Sequence, residues 1–382
     1  NREQGVLVLS SNNSIGSLTN GRNVISGNGL QGVLIAGVAA RGNEVLDNVI
    51  GAEIHREVPR PNRAEGVLID NAPANRIGGS GDSGRNVIGG NVLDGIRVTG
   101  SSTVGTTIQS NFIGFNVVRD LIARLPNRDG IRLESPNTTV GGTTQPARNV
   151  ISLNDRHGIS LAGAAASGNQ ILGNFLGTND EGLTDFGNAF SGILIDNAPA
   201  NLIGGTTETA RNVISGNTVG ITILGAGATA NVVQGNFIGT ANDGATDLGN
   251  ATDGVLIDAA PGNLIGGPTS GARNVISGND RGIRLTGAGA TGNILSGNFI
   301  GLTLNGVDPL GNSLDGVRVE GGAINNVVGG DTSPTGNLIA FGGYTYSHTF
   351  REQLAAVGDP TIPQALDSNG NSVLDDADAS VI

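Results

Sequence analysis

The chain has 382 residues, 65 of them Gly, with two Tyr, nine Phe and no Cys, Met or Trp. It lacks the large side chains that fill a layered core, and it has neither disulfides nor thiol chemistry. Its net charge is −12 and all 21 basic residues are Arg, which excludes the basic stripes and ring platforms of a nucleic-acid binder, and no run of 18 apolar residues offers a membrane-spanning helix.

From the N-terminus onward one pattern recurs: a Gly followed by alternating apolar residues. It stands at Gly5 (GVLVL), Gly32 (GVLIA), Gly66 (GVLID), Gly95 (GIRVT), Gly130 (GIRLE) and Gly158 (GISLA). It continues at Gly192 (GILID), Gly220 (GITIL), Gly254 (GVLID), Gly282 (GIRLT) and Gly316 (GVRVE). Alternate starts lie 61, 64, 62, 62 and 62 residues apart, so the unit is a short coil followed by a long one. Each coil reads as three short strands. From Gly192 they are GILID, NLIGG and NVISG; from Gly220 they are GITIL, NVVQG and NFIGT. The string RNVISGN, at 22–28, 211–217 and 273–279, marks the third strand of the short coils, with RNVIGGN at 85–91 and RNVISLN at 148–154 as variants. Insertions follow the second strand of short coils (TTETAR, 206–211) and the third strand of long coils (178–191, 240–253 and 302–315).

Strands this short are stable only when stacked on copies of themselves. The expected fold is all-β: a single-stranded right-handed parallel β-helix, a solenoid of about 11 coils with three short strands per coil. At one strand spacing per coil the rod is roughly 50 Å long. It is expected to span residues 1–343, followed by a cap or linker over 344–366 and a calcium loop over 367–382.

The strings NLIGGTTETARNVISGN, NVVQGNFIGT and DGATDLGN resemble the parallel β-helix repeats of large secreted bacterial proteins of the pectin-lyase-like superfamily, over about residues 5–340. The resemblance implies the fold and a secreted or cell-surface bacterial setting, with the signal peptide outside this piece. It implies no single activity, because that architecture hosts lyases, hydrolases, epimerases, adhesins and stalks.

Four residue sets invite a functional reading. Asn columns (Asn23, Asn86, Asn149; Asn28, Asn91, Asn154; Asn48, Asn111, Asn174 and their repeats) are expected to bond along the rod and hold its bends. An Arg column (Arg22, Arg85, Arg148, Arg211, Arg273) is expected to face solvent and pair with local acids such as Asp82 and Glu208. On the first strands, Asp94, Arg97, Asp129, Arg132, Glu134 and His157 are expected to lie within about two strand spacings of one another. Acids, Arg and a basic group on one face are what a polysaccharide lyase or hydrolase needs. A comparable set at Arg284, Asp315, Arg318 and Glu320 points instead to ion pairs tiling a solvated face. The polygalacturonase strings NTD and GHG are absent, and so are Trp platforms for sugars. Acids in the long loops (Asp180, Glu181, Asp185, Asp243, Asp247, Asp308) read as a solvated row.

The tail DSNGNSVLDDAD, 367–378, sets Asp367, Asn369, Asn371, Val373 (through its carbonyl), Asp375 and Asp378 at positions 1, 3, 5, 7, 9 and 12 of a calcium loop. It resembles the calcium half-motif of dockerin modules, which implies Ca²⁺ and a cohesin-type partner. The sequence therefore reads as a secreted or cell-surface scaffold or adhesion module, non-catalytic, binding extracellular polysaccharide or surface protein. The alternative is a polysaccharide-active enzyme acting on an acidic glycan through the Asp94–His157 face.

Overall fold

The computed structural model describes residues 1–18, 21–53, 58–79, 81–118, 121–330 and 336–340. The chain winds into three parallel sheets of 11 strands each, one strand per sheet per coil. The first sheet runs from Val6–Val8 to Val317–Val319, the second from Ser14–Ile15 to Val327–Val328 and the third from Val24–Ile25 to Leu338–Ile339. The expected strands and coil number are those observed. Among the described residues the one antiparallel strand pair is a hairpin, Phe115–Val118 with Leu121–Arg124, which breaks the repeat where the sequence diverges. The long-coil insertions close on themselves through bridges such as Thr178↔Asp185 and Thr240↔Asp247.

Period-2 alternation sends every second residue into the rod. Ile69, Val98, Leu133, Leu161 and Ile195 lie in register on successive coils, and all are 0% exposed. Burying each contributes about 1.5–3 kcal/mol, and truncating one to Ala costs about 2–5 kcal/mol. The interior holds no ring. A second apolar layer outside the third sheet takes Phe112, Phe115, Phe175, Phe186, Phe237 and Phe299 under the long loops. The opening Gly of each coil is a close approach: a Cβ on Gly130 would lie 2.5 Å from Ile151 Cγ2 and 2.6 Å from the Gly158 carbonyl.

The Asn sets are ladders. At the bend before the third strand, Asn23, Asn48, Asn86, Asn111, Asn149, Asn174, Asn212, Asn236, Asn274 and Asn298 each donate to the next coil's Asn Oδ1 at 2.8–3.2 Å, and Asn337 accepts the last of these bonds. Two columns of the sequence are thus alternate rungs of one ladder. A second ladder after that strand runs from Asn28 to Asn312, with amide bonds of 2.7–3.2 Å. A third, before the second strand, runs from Asn13 to Asn75 and resumes from Asn169 to Asn326; Thr106 and Thr138 stand at its interruption. Each satisfied buried amide is worth about 1 kcal/mol net and removes a larger desolvation cost.

The Arg column differs from its expectation. The guanidinium carbons of Arg85, Arg148, Arg211 and Arg273 sit 3.8–4.1 Å from the ring centroids of Phe112, Phe175, Phe237 and Phe299 in the next coil. Arg148, Arg211 and Arg273 also donate Nε to the carbonyls of Gly173, Gly235 and Gly297 at 3.1–3.3 Å. Arg211 makes no ion pair with Glu208 among the described residues. The ring face attracts the cation, so a counter-ion is not required. Where the next coil offers Val49 instead of Phe, Arg22 pairs with Asp47.

Candidate functional site

The residue before each opening Gly occupies one corner of the rod, so Glu65, Asp94, Asp129 and His157 stack on successive coils at roughly 4.8 Å spacing. Glu65, Asp94 and Asp129 are 2%, 0% and 0% exposed. Backbone amides tie the column together: Asp129 N donates to Asp94 Oδ1 at 3.3 Å and His157 N donates to Asp129 Oδ1 at 3.2 Å. Three arginines cover it. Arg128 donates Nε and Nη2 to the two oxygens of Asp94, each at 3.0 Å. Arg97 donates Nη1 to Glu65 at 3.4 Å, and Nε and Nη2 to Glu134 Oε2 at 3.0 and 2.7 Å. Arg132 donates Nε to Glu134 Oε1 at 2.7 Å and sets Nη1 3.6 Å from Asp129 Oδ2. All six residues read from the sequence come together, joined by Glu65 and Arg128.

Three like charges on adjacent coils need this cover. Burial holds the Asp94 carboxyl above the usual carboxylate range, against the hydrogen bond and charge of Arg128, and Asp129 pushes the same way as burial. Burial also lifts Glu134, but Arg132 and Arg97 outweigh it and the net shift is downward. Burial lowers His157 below its ordinary 6.5; Asp129 opposes this, while Arg156 and Arg132 reinforce it. Its Nδ1 accepts the Ser191 N–H at 3.2 Å, so the neutral ring carries its hydrogen on Nε2. Asp129 Oδ2 is buried with no hydrogen-bond partner.

Sequence reading passed over Phe190. Its ring lies 5.7 Å from the His157 ring, centroid to centroid, and is 51% exposed. The signal was available: Phe190 stands where the next two long loops carry Thr252 and Leu314, in NAFS, NATD and NSLD.

A second ionic cluster occupies the same corner further along. Arg284 grips Asp253 with contacts of 2.7–3.1 Å. Arg281 lies 3.9 Å from Asp253 and 3.8 Å from Asp315, while Arg318 reaches Asp315 at 3.3 Å and Glu320 at 2.8 Å. In the long loops, Asp185 and Asp247 accept turn amides from Gly187 and Gly249 at 2.8 and 3.0 Å. Asp243 accepts from the Thr246 hydroxyl at 2.6 Å and from two amides; burial lifts its pKa, but these bonds prevail and lower it. No three His, Cys, Asp or Glu among the described residues are placed to hold a metal. The calcium-loop residues Asp367, Asn369, Asn371, Val373, Asp375 and Asp378 lie outside the described residues. No helix among the described residues is long and apolar enough to cross a membrane.

No protein-family model matches the chain, and no curated protein sequence does. Among solved structures it is similar to the A-module of the mannuronan C-5 epimerase AlgE6 of Azotobacter vinelandii. The identity is 14%, covering 86% of this chain and 77% of that one, with a TM-score of 0.42. It is also similar to the DFA-IIIase of Arthrobacter chlorophenolicus A6, with 12% identity over 86% of this chain and 76% of that one, at a TM-score of 0.31. A hyper-glycosylated TibA fragment matches at 12% identity over 88% of this chain and 100% of that one, with a TM-score of 0.22. Similarity at this level says nothing of activity.

Proposed function

We propose that this chain is a secreted or cell-surface β-helical scaffold, an adhesion module that engages extracellular polysaccharide or surface protein without catalysis. The burial of the acids carries this reading. Asp94 and Asp129 expose nothing to solvent, while the side chains of Arg97, Arg128 and Arg132 stand over them 34%, 36% and 25% exposed. A general acid or base must come within hydrogen-bond reach of the proton it moves. A carboxylate sealed beneath guanidinium groups does not, and the face left to a partner is mainly guanidinium donors, with Glu134 20% exposed among them. Kinship to pectin-lyase-like proteins belongs to the same reading. So does Ca²⁺ at Asp367, Asn369, Asn371, Val373, Asp375 and Asp378, a hard-oxygen set suited to that ion, with a cohesin-type partner beside it.

The test is surface binding. The full chain is passed over immobilised acidic and neutral polysaccharides and over purified bacterial surface proteins. Concentration-dependent retention on at least one is expected, weakened by Arg132→Ala; retention on none sinks the adhesion reading. One observation favours a second reading, a polysaccharide lyase or hydrolase acting on an acidic glycan: Asp129 Oδ2 lacks a hydrogen-bond partner beside a neutral His157.

A further inference from the structure

Of the phenylalanines in the described residues, Phe190 alone is exposed, at 51%; Phe112, Phe115, Phe175, Phe186, Phe237 and Phe299 are 0–8% exposed. Stacking of the rod does not require a ring there, since the matching positions hold Thr252 and Leu314. Its backbone is nevertheless fixed on both sides. Phe190 N donates to the Arg156 carbonyl at 2.8 Å, and its carbonyl accepts from Thr218 and Val219 at 2.9 and 3.3 Å. The exposed ring is therefore presented by three coils at once, and little freedom remains to be lost on binding.

Beside it, His157 has Nδ1 occupied by Ser191, and its Nε2–H has no partner among the described residues. Arg156 is exposed and makes no ion pair among the described residues, and Arg132 shows 25% of its side chain. The free N–H groups beside the ring, on His157 and Arg156, are thus donors, next to the Ser191 and Thr222 hydroxyls, which bond each other at 2.9 Å. A ligand for this place must bring acceptor oxygens at its rim and an apolar C–H face for the negative face of the Phe ring. We propose that Phe190 and His157 form a subsite for one pyranose ring of an extracellular glycan: the sugar's C–H face lies on Phe190, and a hydroxyl or ring oxygen accepts from His157 Nε2. This rests on the adhesion reading and gives it a place on the rod. Peptide carbonyls also accept hydrogen bonds, but they lack the flat C–H face that the exposed ring is built to meet.

The test is calorimetric titration of the full chain with two probes, cellohexaose and hexagalacturonate. At least one is expected to bind. Phe190→Ala should weaken that binding about tenfold or more, and Phe190→Tyr should keep it within about twofold, while the thermal midpoint of both variants stays at the wild-type value. His157→Gln, which retains a donor, should lose less than His157→Ala. Wild-type binding unchanged by Phe190→Ala overturns the subsite and leaves the adhesion reading standing. Failure of both probes, with surface-protein binding that Phe190→Ala abolishes, overturns the sugar assignment. Failure of both probes with retention on no glycan or protein overturns the adhesion reading itself.

Discussion

DGIRLE at 129–134 and DGVRVE at 315–320 are nearly the same string at the same corner of the same sheet, yet they make different surfaces. In the first, Asp129, Arg132 and Glu134 show 0%, 25% and 20% of their side chains; in the second, Asp315, Arg318 and Glu320 show 43%, 44% and 34%. Place in the rod decides the exposure: Val317–Val319 is the last strand of its sheet, with Val319 49% exposed, whereas Ile131–Glu134 is paired on both sides. The columns differ in charge as well. Asp315 follows Arg281, which follows Asp253, so acid and base alternate along the rod and neutralise one another in place. Asp129 follows Asp94, which follows Glu65, and His157 comes next. Three acids one strand spacing apart repel and must draw Arg97, Arg128 and Arg132 over themselves. The second column also buries an acid, Asp253 under Arg284, but its next neighbour is Arg281; the first alone sets three acids in a row beside a neutral His and an exposed Phe, and the proposed function is therefore placed there.

The largest expected effect separates the two directly. Arg128→Ala leaves Asp94 buried without its partner and should cost about 2 kcal/mol, below the full range for a broken buried pair because Arg128 is partly solvated and Asp94 can take up a proton. Arg318→Ala, on the solvated seam, should leave the thermal midpoint unchanged. Equal losses in the two variants would erase the distinction. Next, Glu134→Gln should cost about 1 kcal/mol at neutral pH, after allowance for solvent around the pair. The folded-state pKa of Glu134 lies below its ordinary 4.5, so its contribution is complete above that value and is lost as pH falls through the folded one. The two proteins should therefore converge in acid, and denaturant titrations at stepped pH will show whether they do. A smaller effect belongs to His157, whose pKa is lowered from 6.5: the unfolded chain takes up the proton first, and stability declines as pH falls below that value. His157→Gln should flatten this decline, and an unaltered slope would mean that the ring is not held neutral. Smallest for the rod is the tail. Asp367→Ala should remove the heat of Ca²⁺ binding without moving the melting of the coils; calcium heat that survives the change would discard the loop.

Most of the rod was legible because a solenoid repeats its instructions. Eleven Gly-led starts gave the coils, and Asn at fixed offsets gave three columns of rungs, two of which fuse into one ladder once short and long coils interleave. The third ladder was harder to see, since its Asn sit in changing contexts (GNE at 42, ANR at 74, GNQ at 168) and Thr106 and Thr138 interrupt the series. The Arg column was misread for a physical reason. Arg148 meets Phe175, and Arg211 meets Phe237, across a coil boundary, so local acids look like the partners until the register is known. At the candidate site, the parity of the first strands placed Asp94, Arg97, Asp129, Arg132, Glu134 and His157 together. It did not show that Arg128, one residue before Asp129, turns back onto Asp94, nor that Phe190 reaches across to His157.

Whether the buried acid column performs chemistry is settled most directly by turnover. The full chain is incubated with polyuronates and neutral glycans in the presence of Ca²⁺, and reducing ends and unsaturated uronate products are followed over time, alongside Asp129→Ala. No product above the buffer control from either protein is the predicted result. Product formed by the wild type and abolished by Asp129→Ala would contradict the account and make this face an active site.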